Sequence, residues 1–211
     1  MTSVLAQIGS SRVRMAHFFW RHTICLGDTV IDATCGHGKD SLEMCRLISD
    51  SASGKFGRFV GFDVQKSATD ETFNRLSQSS FDMSRVLLFN EGHENMWKRS
   101  QEYPEWFGNV KLVSFNLGYL PGGNKAVHTK VDTTLEAVEG ASRLIVPGGI
   151  ISIVQYPHAE GQLESQALRS WYKSHLPPQD WIITNMMNPL EAEVQPSILF
   201  LIRRSSPPHV L

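Results

Sequence analysis

The ten residues Ile31 to Asp40, IDATCGHGKD, constrain the fold of this chain more than any other stretch. An apolar run, Thr29-Val30-Ile31, ends on an acid, Asp32. A glycine turn follows at Gly36 and Gly38, and then a helix-like pattern begins. Strand, glycine loop and helix in that order is how an open α/β sheet holds a nucleotide-like ligand at the carboxyl ends of its strands. Two details turn the reading from dinucleotides towards S-adenosylmethionine (SAM). Ser41 stands where the dinucleotide fingerprint has its third glycine. An acid four residues before the first glycine can reach the cationic methionine end of SAM, directly or through water.

The rest of the chain supplies the other units of such a fold. Arg12 to Cys25 has near-helical apolar spacing and reads as a leading helix over one sheet edge. Helices are expected from Lys39 to Ser49, Lys66 to Gln78, Asp132 to Leu144 (capped by Asp132 or Thr133) and Glu160 to Ser174. Strands are expected at Thr29 to Ala33, Arg58 to Phe62, Arg85 to Phe89, Val110 to Phe115, Ile150 to Val154, Trp181 to Met186 and Ser197 to Ile202. Trp97, Tyr103, Trp106 and Phe107 mark an aromatic connection, and Pro147-Gly148-Gly149 a turn. This alternation predicts an α/β, Rossmann-like class I methyltransferase fold, with a mostly parallel seven-stranded sheet, helices on both faces and an antiparallel last strand. A single domain over 1–211 is expected, with 1–26 as a leading helical segment and 205–211 as a frayed tail.

Composition narrows the partners. With 211 residues and a formal net charge of -1, the chain is no general basic coat, so RNA must be met by local patches and shape. No stretch reaches the roughly 18 apolar residues of a membrane span, and the N-terminus carries no credible signal peptide. Cys25, Cys35 and Cys45 contain no C-x-x-C pair. That argues against a disulfide framework or a zinc knuckle, fits a cytoplasmic location and gives no reason to expect a metal.

Each parallel strand ends in a polar residue on the ligand edge. Asp63, about 25 residues past the glycine loop, suits a ribose whose hydroxyls donate to a carboxylate. Gln65 adds a donor and acceptor nearby; the bland alternatives are an Asx turn and a solvated loop. His93, in EGHE, reads alone as a solvated histidine, whereas the main chain of His37 must face a ligand in the glycine loop. Asn116 to Pro121, NLGYLP, resembles the Asn-Pro-Pro-Tyr layout of amino-group methyltransferases, with Tyr119 as the aromatic. An amide oxygen can accept an N–H and aim a nitrogen lone pair, while a ring packs on a planar base. Lys125, His128 and Lys130 bring positive charge beside that loop, suited to phosphate, and Tyr156 can wall a substrate pocket. Arg12, Arg14, His17, Arg21 and His22 form a second basic cluster.

DATCGHGKD, FDVQ, the His93-Glu94 pair, NLGYLPGGNK and PGGIISIVQYPH together resemble the YtqB-like, MnmM-associated family of RNA methylases, over about His17 through the last strand. The resemblance implies SAM as cofactor, held by Asp32, Gly36, His37, Gly38 and Asp40, with Asp63 and Gln65 at the ribose and His93 near the adenine. It places Asn116 and Tyr119 at the substrate amine. The implied partner is tRNA at its anticodon region, methylated on the amine of 5-aminomethyl-2-thiouridine at the wobble position. His37 and Asn124 depart from the family pattern, which usually has Asn and Asp there. Alternatives are a methyltransferase of rRNA or of a small-molecule amine, and a non-catalytic SAM-binding protein. The aromatic segments around Phe18 and Trp97 to Phe107 are either core or a homodimer face.

Overall fold

Strict alternation of apolar side chains between two faces builds the sheet. Val30, Leu112, Ile150, Ile198 and Phe200 point into one core, while Ile31, Val113, Ile151, Leu199 and Leu201 point into a second on the opposite side. Because both faces are covered, strands read as continuous apolar runs, as parallel sheets require. The computed structural model describes residues 12–120, 122–124, 126–187 and 195–205.

In chain order the elements are α1 (Arg12–Thr23), β1 (Thr29–Asp32), α2 (Lys39–Ile48), β2 (Ser49–Asp50), β3 (Lys55–Phe56), β4 (Arg58–Phe62), α3 (Lys66–Ser77), β5 (Val86–Phe89), α4 (Met96–Glu102), β6 (Val110–Asn116), α5 (Val131–Leu144), β7 (Ile145–Gln155), α6 (Ala159–His175), β8 (Trp181–Met186) and β9 (Ser197–Arg203). The main sheet runs β5-β4-β1-β6-β7-β9-β8. Only β9 is antiparallel to its neighbours, as expected of the last strand; it slots between β7 and β8. Helices α1, α2 and α3 cover one face and α4, α5 and α6 the other.

Strand order reverses at β1, which pairs with β4 on one side and β6 on the other. The carboxyl ends of β1 and β6 therefore flank the switch point, where ligands of open α/β sheets sit.

Four expectations need correction. α1 lies not on a sheet edge but across β7 and β9, with Ala16 and Trp20 buried and Phe19 against Phe200 at 4.4 Å. Pro147-Gly148-Gly149 does not precede its strand but lies within β7. Val110 faces Ile145 while Leu112 faces Ile150, so a register shift absorbs the extra residues. The aromatic connection contains α4 and a 3₁₀ turn, Pro104–Trp106. Phe107 and Trp106 join the core, whereas Phe18, Trp97 and Tyr103 stay exposed. Finally, neither Asp132 nor Thr133 caps α5: Lys130 is the N-cap residue, and the Thr133 hydroxyl donates back to its carbonyl. The bulk of the expected tail, 206–211, and the first eleven residues lie outside the described residues. No helix among the described residues is long and apolar enough to cross a membrane.

Candidate functional site

The glycine loop leaves β1 with its first acid turned inward. Asp32 is buried, and its carboxylate accepts from the Ser41 hydroxyl at 2.6 Å and the Thr34 amide at 3.2 Å. Ser41, which breaks the dinucleotide pattern, thus ties α2 to the strand end. Gly38 is buried as well and fixed by packing: at φ 68°, a side chain there would meet the Thr72 Cα of α3 at 2.8 Å. Neither Asp32 nor Gly38 lines the cavity in front of the loop. Both stand behind the wall of that cavity.

Burial raises the Asp32 pKa to about 7, with the negative charges of Asp40 and Asp63 adding to it and the Ser41 and Thr34 hydrogen bonds opposing. In the unfolded chain that acid releases its proton near pH 3.9. Between about pH 4 and pH 7 the folded state therefore holds a proton that the unfolded state has lost, and stability falls as pH rises. Asp32→Asn, which does not titrate, is expected to flatten that slope in urea unfolding at pH 4.5 and pH 7.5; an unchanged slope would assign it to other groups.

The cavity has a volume of roughly 1260 Å³, above the roughly 300–1,000 Å³ of small-molecule pockets and roomy enough for a cofactor and an acceptor together. Gly36, His37, Asp40, Asp63, Gln65 and His93 line it from the first strand ends. The Asp63 carboxylate takes the Gly36 amide on one oxygen and the Gln65 amide on the other, both at 2.9 Å, so it braces the glycine loop against the start of α3. Each oxygen keeps a lone pair for a ligand hydroxyl. His93 is no solvated loop residue: it is 6% exposed, lies edge-on to Phe115, and its Nδ1 sits 3.2 Å from the Ala33 carbonyl, which only a protonated nitrogen can meet. Burial lowers its pKa, keeping the ring neutral with Nε2 as acceptor. The His37 ring pairs with Glu71 of α3 at 2.6 Å instead of capping α2.

Asp40 meets His17 at 2.8 Å, so α1 reaches into the site. The rest of the N-terminal basic cluster divides around the helix: Arg12 is buried against Gln195 and Pro196, and Arg21 pairs with Glu43. It forms no single patch.

Asn116, Tyr119, His128, Lys130 and Tyr156 line the cavity from the later strand ends; Lys125 lies outside the described residues. The Asn116 amide nitrogen donates to the Thr34 hydroxyl at 2.8 Å, bridging β1 and β6 across the switch point. Tyr156 lines the same cavity, and burial pushes its hydroxyl pKa up. Tyr119 is half-exposed at the mouth, paired in a short bridge with His128 and 6.2 Å from the His158 ring. Gly118, at φ 125°, passes so close to His158 that an added Cβ would meet its Nε2 at 3.2 Å.

Sequence reasoning missed Thr34 and the buried Glu164, marked Ser41 only through the fingerprint it breaks and His17 only as part of the basic cluster, and read His158 with Tyr156 as a wall of the substrate pocket, which it lines. These residues gain their partners from contacts across the fold.

A family model described as "Putative rRNA methylase" matches residues 59–203. A tRNA (mnm(5)s(2)U34)-methyltransferase, chloroplastic, of Arabidopsis thaliana is 39% identical over 194 residues, covering 91% of this chain and 69% of that protein. The crystal structure of a "putative rRNA-methylase" from Clostridium thermocellum superposes with a TM-score of 0.80 at 31% identity, covering 92% of this chain and 98% of the other. A "putative methyltransferase" from Streptococcus mutans, solved in complex with SAH, shares the fold at 24% identity and a TM-score of 0.77, with the same coverage.

Proposed function

The chain belongs to the family described as "Putative rRNA methylase", and on that premise we propose that it is a SAM-dependent methyltransferase acting on tRNA. Its acceptor is the amine of 5-aminomethyl-2-thiouridine at the wobble position. The observation that carries the reading is the meeting of two halves at the switch point: a braced glycine loop with the acid Asp63, and Asn116 held by Thr34 with Tyr156 on the same wall, in one cavity with room for two ligands. The activity for which the Arabidopsis relative is named supports the substrate class.

SAM, when bound, supplies a methyl group that transfers in line from sulfur to the acceptor nitrogen. The residues that would hold it are Gly36, through its backbone, Asp63 and Gln65 at the ribose, His93 beside the adenine, and Asp40 with His37 along the loop. Asn116 accepts an N–H of the acceptor amine and aims its lone pair from a main chain locked by the Thr34 hydroxyl. A buried pocket disfavours the ammonium form of a primary amine, which sheds its proton before attack. Tyr119 offers a ring to the base, and Lys125, His128 and Lys130 meet phosphates of the anticodon region.

Methyl transfer from labelled SAM to tRNA lacking the final wobble methylation, read by nucleoside mass spectrometry, tests this. The expected product is one added methyl on 5-aminomethyl-2-thiouridine. Absence of transfer while calorimetry shows SAM bound discards the tRNA assignment in favour of rRNA or small amines. Absence of SAM binding discards the whole reading.

A further inference from the structure

A second, smaller cavity opens on the face of the sheet covered by α6, where β7 and β8 end and β9 begins. On this face the strands feed the core with Ile151 and Ile153 of β7, Leu199 and Leu201 of β9 and Ile183 of β8. Then all three turn polar. Gln155 follows Ile153 in the alternation, Ser197 stands one step before Leu199, and Asn185 follows Ile183. Gln155 and Ser197 are register partners, and Asn185 is the partner of Leu199 beside them. Both Gln155 and Ser197 are buried, and buried polar groups ordinarily have their hydrogen bonds met. Here only half are. The Ser197 hydroxyl donates to Gln155 Oε1 at 3.2 Å, while the Gln155 amide nitrogen, on the cavity floor, meets no acceptor among the described residues.

The walls supply complementary groups. Gln162 of α6 donates its amide nitrogen to the Pro157 carbonyl at 3.0 Å, which leaves its Oε1 as an acceptor on the wall. Tyr172 is half-buried there and adds a ring. Arg169 stands exposed at the rim and makes no ion pair or hydrogen bond among the described residues. The volume is about 260 Å³, just under the roughly 300 Å³ at which small-molecule pockets begin, so it suits one ring system and not a second cofactor. An amide donor, an amide acceptor, a ring and an unpaired guanidinium are the groups that hold a single-stranded nucleotide. The amides read a base edge, the ring stacks on its face, and the guanidinium takes the phosphate. Tyr156 and Pro157 line both this cavity and the larger one, so they form the partition between the two.

We infer that the smaller cavity is a subsite for the nucleotide adjoining the methylated one, with Gln155 and Gln162 on its base and Arg169 on its phosphate. The inference rests on the RNA-methylating reading of the larger cavity, and it assigns that enzyme a contact by which neighbouring sequence affects the choice of substrate. The subsite stands on the far side of Tyr156 and Pro157 from the acceptor and shares no residue with the Asp63 and Gly36 braces.

In steady-state methyl transfer to an anticodon stem-loop, Gln155→Met is expected to raise the KM for RNA about tenfold, with the SAM Kd within about twofold by calorimetry. Stem-loops carrying an abasic residue on one side of the wobble nucleotide, or on the other, identify the occupant. At one of the two positions the abasic RNA should raise the parent's KM about tenfold and that of Gln155→Met no further, because both changes remove the same contact. Arg169→Ala should lower the slope of log KM against log salt by about 0.7, the share of one phosphate. An abasic effect at neither position, additive losses in Gln155→Met, an unchanged salt slope, or a SAM Kd that rises with the KM overturns the inference. Should Gln155→Met fail to fold, the exposed Asn185→Ala carries the same abasic comparison. Fluorescence anisotropy with the same stem-loops reads the subsite without turnover. The same pattern in a protein that methylates no 5-aminomethyl-2-thiouridine would uphold the subsite and overturn the acceptor; stem-loops that do not bind at all would overturn both.

Discussion

Asn116→Ala is expected to lower methyl transfer by about 10²-fold or more, while SAM affinity stays within about twofold of the parent protein. The reasoning starts from where the side chain stands. β6 ends beside β1 at the switch point, and the Thr34 hydroxyl locks the Asn116 main chain there, so the side chain leaves the sheet from a fixed base. An acceptor nitrogen has to present its lone pair along a single line. Loss of the group that accepts its N–H releases that orientation and leaves the amine free to turn away. Alanine touches none of the Asp63 bonds, and calorimetry with SAM should register little. A turnover for Asn116→Ala within threefold of the parent would remove Asn116 from the reaction, and the acceptor would then have to be oriented by the Tyr119 and His128 segment alone.

Much of the framework was legible because its signals are local. β4 and β8 match their expected limits: β4 is an apolar run stopped by Asp63, and β8 starts at a β-rich Trp-Ile-Ile after the Pro177-Pro178 break. The antiparallel last strand followed from two strands arriving without a helix between them. β7 was read too short because a Pro-Gly-Gly sequence signals a turn, and only its pairing with a shifted β6 shows that the strand runs through it. α1 was misplaced for a similar reason. Its apolar stripe announces a helix, but nothing in the stripe says which strands it covers.

The candidate site divides along the same line. The glycine loop, Asp63, and Asn116 with Tyr119 were legible from residue type and position after a strand. The direction in which a side chain turns was not. Asp32 reads as a ligand acid, yet the partner that draws it inward is Ser41, nine residues on. His93 reads as a surface histidine, and its burial depends on the Ala33 carbonyl sixty residues earlier. Glu164 sits in a helix rich in polar residues, where an acid is ordinarily solvated, so its burial against Thr134 emerges only when α5 and α6 pack.

The second large effect concerns the cofactor side, and it should have the opposite kinetic signature. Asp63→Ala is expected to weaken SAM binding by about 10²-fold, because two charge-assisted hydrogen bonds of roughly 1.5–3 kcal/mol each brace the loop that faces the ligand. Without that carboxylate the Gly36 and Gln65 amides lose their partner together, and the glycine loop loses its tie to the start of α3. Asp63→Asn keeps the shape but offers one oxygen and one NH₂ to two N–H donors. It can satisfy one of them and opposes the other, so its affinity should fall between the parent and the alanine variant. Asp63 reaches no atom near Asn116, and the rate at saturating SAM should therefore return to within a few-fold of the parent, with the loss carried by the KM for SAM. A SAM Kd within threefold of the parent would show that the loop holds its form without Asp63. A rate that stays low at saturation would mean that the brace also sets the line of attack, joining the two halves of the site into one mechanical unit.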